Sequence, residues 1–166
     1  STQGCLAGLE TVHRLIPGDI LDMGCGSGIL GLAAIELWRR RVLGSDIDSH
    51  ATKGMIDNAR ANGMLPMVRA VTARGYRHPA LYGNTYALIF ANILAKPLTK
   101  MAPDLVKHLK PGGIAILSGL LPEQGNWVAS RHRALGLKLL RRIHRDGWLS
   151  LVMQKPYAKE RDHISR

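Results

Sequence analysis

Three short stretches of this chain carry side chains whose types and spacing could do chemistry. The first is Asp22-Met-Gly24-Cys-Gly26-Ser-Gly28, the second Gly44-Ser-Asp46-Ile47-Asp48, and the third Asn92, which follows an apolar run ending at Ala91. Glycines at alternate positions allow a tight turn and let a ligand approach the backbone. A dinucleotide site asks for G-x-G-x-x-G, and here Ile29 stands where the third glycine belongs. No Gly-Lys-Ser/Thr follows, so the turn is not a P-loop. Asp22 is poorly placed to welcome a phosphate, but a carboxylate there can accept a hydrogen bond from an ammonium group. A ligand with a nucleoside, a positive end and no phosphate is S-adenosylmethionine.

Asp46 lies a little under twenty residues after the glycines, where a carboxylate can accept both ribose hydroxyls. Asp48 competes for that role, but beside a helix start a capping or surface role suits it better. The Asn92 amide offers an acceptor and donors at the carboxyl edge of a strand, fit to hold a methyl acceptor or the methionyl end of the cofactor. The simpler alternative is a turn-making Asn before a helix.

The elements that must position these groups alternate along the chain. Helical spacing predicts a helix over residues 2–15, stopped by Pro17-Gly18. A buried strand over Ile20 to Met23 is expected next, then a helix from Ser27 to Trp38 that is apolar on most faces. Val42 to Ser45 reads as the second strand, and Ser49 as the cap of a helix ending at Asn62-Gly63. Met67 to Thr72 and Tyr86 to Ala91 are expected strands, separated by a loop over 73–85. Leu98, Met101, Ala102, Leu105, Val106 and Leu109 form one helical stripe. Pro111-Gly112-Gly113 turns the chain into a strand over Ile114 to Ser118, and a helix over Glu123 to Leu135 is expected to pack through Trp127 and Val128. Leu137 to Ile143 and Trp148 to Met153 pair through a hairpin at Asp146-Gly147. This α/β string predicts a seven-stranded, Rossmann-like sheet of order 3-2-1-4-5-7-6, with helices on both faces and one antiparallel strand near an edge.

At 166 residues the chain suits one domain, expected over 1–154 and followed by a basic tail over 155–166. Its two cysteines, Cys5 and Cys25, belong to no Cys/His cluster, and no His stands at metal-ligand spacing from another, so no metal is expected. No apolar run is long enough to span a membrane, and a cytoplasmic setting fits. The net charge of +11 suggests an anionic neighbourhood, ribosome or RNA, with many cations falling late: Arg131, Arg133, Lys138, Arg141, Arg142 and Arg145. Aromatic residues are few and are not interleaved with these cations, which argues against a single-strand stacking platform. Tyr76 and His78 lie in a loop that could reach the site, yet neither presents itself as a general base.

The chain resembles a known family. Asp22-Met-Gly-Cys-Gly-Ser-Gly-Ile-Leu, Ala91-Asn-Ile-Leu-Ala-Lys-Pro-Leu, Leu109-Lys-Pro-Gly-Gly and Leu117-Ser-Gly-Leu-Leu are similar to the bacterial methyltransferases of ribosomal large-subunit protein eleven. The glycine motif is shared by most class I methyltransferases, whereas Asn-Ile-Leu-Ala-x-Pro-Leu is more particular. The resemblance implies methyl transfer to the lysine ε-amines and α-amine of a ribosomal protein, with cofactor contacts on Thr2, Gly24, Asp46 and Asn92, and Ile47 beside Asp46. Asn92 is the residue expected to aim the acceptor amine. In the family a Gly-Thr-Gly-x-His-x-Thr-Thr loop covers the cofactor, and this chain starts within its last residues at Ser1-Thr2. The family's substrate-recruiting amino-terminal domain is expected to be absent. A methyltransferase acting on RNA or a small molecule, and a cofactor-binding fragment without activity, are the alternatives.

Overall fold

The computed structural model describes residues 2–12 and 18–158. Helix α1 (Thr2–Val12) leads into strand β1 (Ile20–Met23), helix α2 (Ile29–Trp38), strand β2 (Val42–Asp46) and helix α3 (Ser49–Ala61). Strands β3 (Val68–Thr72) and β4 (Tyr86–Asn92) follow, then helices α4 (Ala95–Lys100) and α5 (Ala102–His108). The chain closes with strand β5 (Leu109–Leu120), helix α6 (Gly125–Ala134) and strands β6 (Lys138–Arg145) and β7 (Trp148–Gln154). Residues 13–15 of the expected first helix, and 159–166 of the expected tail, lie outside the described residues.

The seven strands form one sheet of order β3-β2-β1-β4-β5-β7-β6, with β7 antiparallel to both its neighbours, as the sequence predicts. Because successive side chains of a strand point to opposite faces, the core divides in two. Ile20, Leu88, Phe90, Ile114 and Ile116 face α1, α2 and α3, while Leu21, Met23, Ile89, Ala115 and Leu117 face α4, α5 and α6. Helices on both faces explain why β1 is buried throughout rather than alternating. The hairpin turn holds Asp146 at φ 49° and Gly147 at φ 77°, and Arg145 pairs with Trp148. Left-handed conformations at both central residues match the twist of the flanking strands.

Several local expectations are corrected. Asp48, not Ser49, caps α3: its backbone is extended and its carboxylate accepts from the His50 amide at 2.8 Å. The stripe from Leu98 to Leu109 is broken at Met101 into α4 and α5, and Leu109 opens β5. Pro103, in the first turn of α5, has no N–H for a continuous helix and would clash with the carbonyl four residues back. Val128 is buried on α6 but Trp127 faces outward. On α2, Leu30, Gly31, Ala34 and Ile35 form the buried face, and Ile29 and Leu37 are exposed.

Candidate active site

The turn after β1 is held by its neighbours from three sides. The Gly24 and Cys25 amides both donate to the Ser45 carbonyl, at 2.7 and 3.1 Å, which ties the turn to the end of β2. Gly26 sits at φ 52° and its amide donates to Asp46 Oδ2 at 3.0 Å. Gly28 sits at φ 84°, where a side chain is strained, and a Cβ there would lie 2.5 Å from Met55 Cγ. Gly31 and Gly44 face the same Met55 side chain. The fully buried Met55 of α3 therefore fills a hollow left by three glycines, two of which carry no weight in the sequence motif.

Asp22 departs from its expected place. Its carboxyl is 1 % exposed and lies beneath the turn, where Oδ2 accepts from the Gly31 amide at 3.0 Å and Oδ1 has no partner among the described residues. It does not line the cleft. Burial is the main cause that raises its pKa to about 7; the Gly31 hydrogen bond opposes this, and the Asp46 charge adds to it. The Cys25 thiol, pushed up to about 12 by burial and then by Asp22 and Asp46, is no nucleophile.

The open space lies at the carboxyl edge of β1, β2 and β4, where the strand order reverses. A cavity of about 440 Å³ is lined there by Gly24, Ser45, Asp46, Ile47 and Asn92, and closed by Gly75 and Met101. That volume lies within the range of about 300–1,000 Å³ usual for small-molecule sites. Asp46 accepts from Gly26 through Oδ2 and from the Asp48 amide through Oδ1, both at 3.0 Å. Each carboxylate oxygen has a second lone pair, so the group is fixed in place yet still open to two hydroxyls. Ile47, 76 % exposed, and Leu94, 71 % exposed, stand on opposite lips. The Asn92 side chain has no hydrogen-bond partner among the described residues, although it lines the cavity.

The structure brings Gly24, Asp46, Ile47 and Asn92 together. Gly26 serves through its bond to Asp46, whereas Asp22 and Gly28 shape the turn from behind. Thr2 begins α1 near the same edge: Gly4 packs on Ser150, whose hydroxyl meets Ser118 at 2.7 Å, and Ser118 is the register partner of Asn92. Gly119 was not foreseen as a site residue. It sits at φ 80° beside a register shift of β5, and a Cβ there would lie 2.8 Å from the Ile93 carbonyl and 3.3 Å from Asn92 Oδ1. Its only signal is its place in Leu117-Ser-Gly-Leu-Leu. Arg74 and Gly75, which also wall the cavity, lie in a loop without periodicity. Of the two loop residues that could reach the site, Tyr76 is buried against the His108 ring at 4.6 Å, and His78 Nδ1 accepts from the Ala80 amide within its own loop.

A seven-stranded sheet in this order, with an acidic strand end and an asparagine across one cleft, defines the class I methyltransferase fold. The model of the family described as ribosomal protein L11 methyltransferase (PrmA) matches residues 1–156, and the chain belongs to that family. It is 44 % identical over 157 residues to the ribosomal protein L11 methyltransferase of Rhizobium meliloti (strain 1021), covering 93 % of this chain and 54 % of that protein. To the protein of the same name from Rhodopseudomonas palustris (strain BisB5) it is 41 % identical over 160 residues, covering 95 % and 54 %. The chain thus spans about half the length of these curated relatives. The crystal structure of ribosomal protein L11 methylase from Lactobacillus delbrueckii subsp. bulgaricus aligns with a TM-score of 0.83 at 28 % identity, covering 94 % of this chain and 79 % of that one. An RNA methyltransferase from Salinibacter ruber, solved in complex with S-adenosyl-L-homocysteine, shares the fold at a TM-score of 0.71 and 17 % identity, covering 100 % and 98 %.

Proposed function

We propose that this chain binds S-adenosylmethionine in the cleft between Asp46 and Asn92 and transfers its methyl group to amine nitrogens, lysine ε-amine and α-amine, of a ribosomal protein. The observation that carries the reading is the pairing, across one cavity, of a carboxylate held by two backbone amides with an asparagine amide that has no partner among the described residues. Names of relatives 41–44 % identical support the choice of a ribosomal protein as acceptor.

When bound, the cofactor supplies a methyl group already activated on a sulfonium. The Asp46 carboxylate accepts from the ribose hydroxyls, and the exposed Ile47 side chain offers an apolar surface to the nucleoside. Gly24 keeps the β1 turn thin; a Cβ there would lie 2.5 Å from Ile93 Cγ2. Asn92 Oδ1 accepts from the incoming amine and aims its lone pair, and orientation of this kind is worth several powers of ten in rate. The amine must arrive neutral.

The late cations suit a ribosome or RNA neighbourhood and a cytoplasmic setting: Arg131 and Arg133 are exposed on α6, as are Lys138, Arg141 and Arg145 on the edge strand β6. Among the described residues, no helix is long and apolar enough to cross a membrane. Transfer of tritium from labelled cofactor to purified ribosomal protein L11, with ribosomal RNA as the competing acceptor, tests the reading. Label in the protein is expected; label in the RNA alone would replace the protein acceptor with a nucleic-acid one.

A further inference from the structure

Beside the cleft lies a second cavity of about 660 Å³, which shares Arg74, Gly75, Pro97 and Met101 with the first. Two pairs of cations rim it. Lys96 and Lys100 stand one turn apart on α4 and so share a face. Arg74 and Arg77 are set side by side by an antiparallel bridge across their turn. All four are exposed, and none forms an ion pair among the described residues. Asp104 is the one carboxylate in the lining. The floor is apolar: Pro97, Met101 and the buried Tyr76 ring, with Gly75 at φ 60° letting the turn lie on Met101.

Four cations against one carboxylate leave this hollow with a positive field that attracts anions. Among the described residues no exposed aromatic side chain lines the hollow, so they offer no stacking surface of the kind single-stranded nucleic acid uses. An apolar floor under a cationic rim instead fits a peptide whose aliphatic stems lie on Pro97 and Met101 while its carboxylates reach the rim. We propose that this groove docks an acidic polypeptide segment flanking the target amine of the substrate protein. The proposal rests on the methyl-transfer reading for its position: the groove shares a wall with the cavity that Asn92 lines.

Fluorescence anisotropy on the intact chain tests this with a labelled Glu-Glu-Lys-Glu-Glu peptide and its Gln-for-Glu counterpart. The acidic peptide should bind at least about tenfold more tightly, and less tightly as salt rises. The triple variant Arg77→Gln/Lys96→Gln/Lys100→Gln should lose about tenfold for the acidic peptide. These three residues line the second cavity and not the first, so calorimetric binding of S-adenosylhomocysteine should be unchanged in the variant, which also reports an intact fold. Equal affinity of the two peptides, or of variant and parent chain, overturns the proposal. So does a uridine decamer that binds more tightly than the acidic peptide and is weakened by the same substitutions. Selective binding of the acidic peptide without any binding of S-adenosylhomocysteine would uphold the groove and reject the methyl-transfer reading.

Discussion

The two turns that face each other across the cleft are built in opposite ways. On the β1 side the polar groups are largely spent within the protein. Gly24 and Cys25 are bound to Ser45, Gly26 to Asp46 and Gly31 to Asp22, and Met55 fills the space beneath. On the β4 side Asn92 has no partner among the described residues, Leu94 stands out in solvent, and Gly119 clears room for the Asn92 side chain and the Ile93 carbonyl. A surface that receives the same nucleoside in every cycle gains from being pre-organised, since little is then lost in ordering it. A surface that must orient a reacting amine gains from polar groups left open until that amine arrives. On the proposed function, stability is concentrated in the first turn and reactivity in the second, and substitutions should separate the two.

The largest expected effect is on the first turn. Gly28→Ala forces a side chain into a left-handed conformation and against Met55, which should cost about 3–4 kcal/mol of stability. Chemical denaturation would show it, and a loss below about 1 kcal/mol would mean that the turn yields to a side chain at this position. Next comes the second turn. Asn92→Ala should lower kcat about 100-fold, roughly 2.7 kcal/mol. Its melting temperature should stay close to that of the parent chain, because the side chain makes no hydrogen bond among the described residues. A large fall in melting temperature with kcat intact would reverse the comparison.

The smallest effect concerns Asp22. The folded chain holds the Asp22 proton up to about pH 7, against 3.8 for an ordinary aspartate. The stability this contributes is fully present below the unfolded value and is lost as pH rises through the folded one. Asp22→Asn keeps an acceptor for the Gly31 amide and removes the titration. Between about pH 5 and pH 8 the parent chain should lose about 2 kcal/mol relative to this variant. Parallel melting curves for the two proteins across that range would show that Asp22 does not titrate there.

The sequence shows the sheet order, the terminal hairpin and the pairing of Asp46 with Asn92, because each rests on periodicity or on a strand end. It does not show which way a carboxylate faces. Asp22 has the right spacing for a ligand contact, but β1 turns it under the glycines, toward the start of α2. Adjacent candidates for one cap, Asp48 and Ser49, are equally good by residue type, and only backbone geometry separates them. The break at Met101 is hidden because the apolar stripe continues in register across two helices. Arg74 and Gly75 reach the cleft from a loop whose path follows from packing on Met101, which no local pattern encodes.

On the proposed function, the nucleoside cofactor binds at the carboxyl edge of the sheet and is held by Asp46. The fold offers a real alternative at the opposite edge, a cavity of about 400 Å³ lined by Asp19, Arg41, Met67 and Tyr86. Titrating the isotope-labelled chain with S-adenosylhomocysteine and following the backbone amide resonances decides between them. Shifts are expected at Gly24, Gly26, Asp46, Ile47 and Asn92 and not at Asp19 or Arg41, and they should be lost in Asp46→Ala, which gives up two charge-assisted bonds of roughly 1.5–3 kcal/mol each. Shifts centred on Asp19 and Arg41, or a cleft pattern that survives Asp46→Ala unchanged, would contradict it.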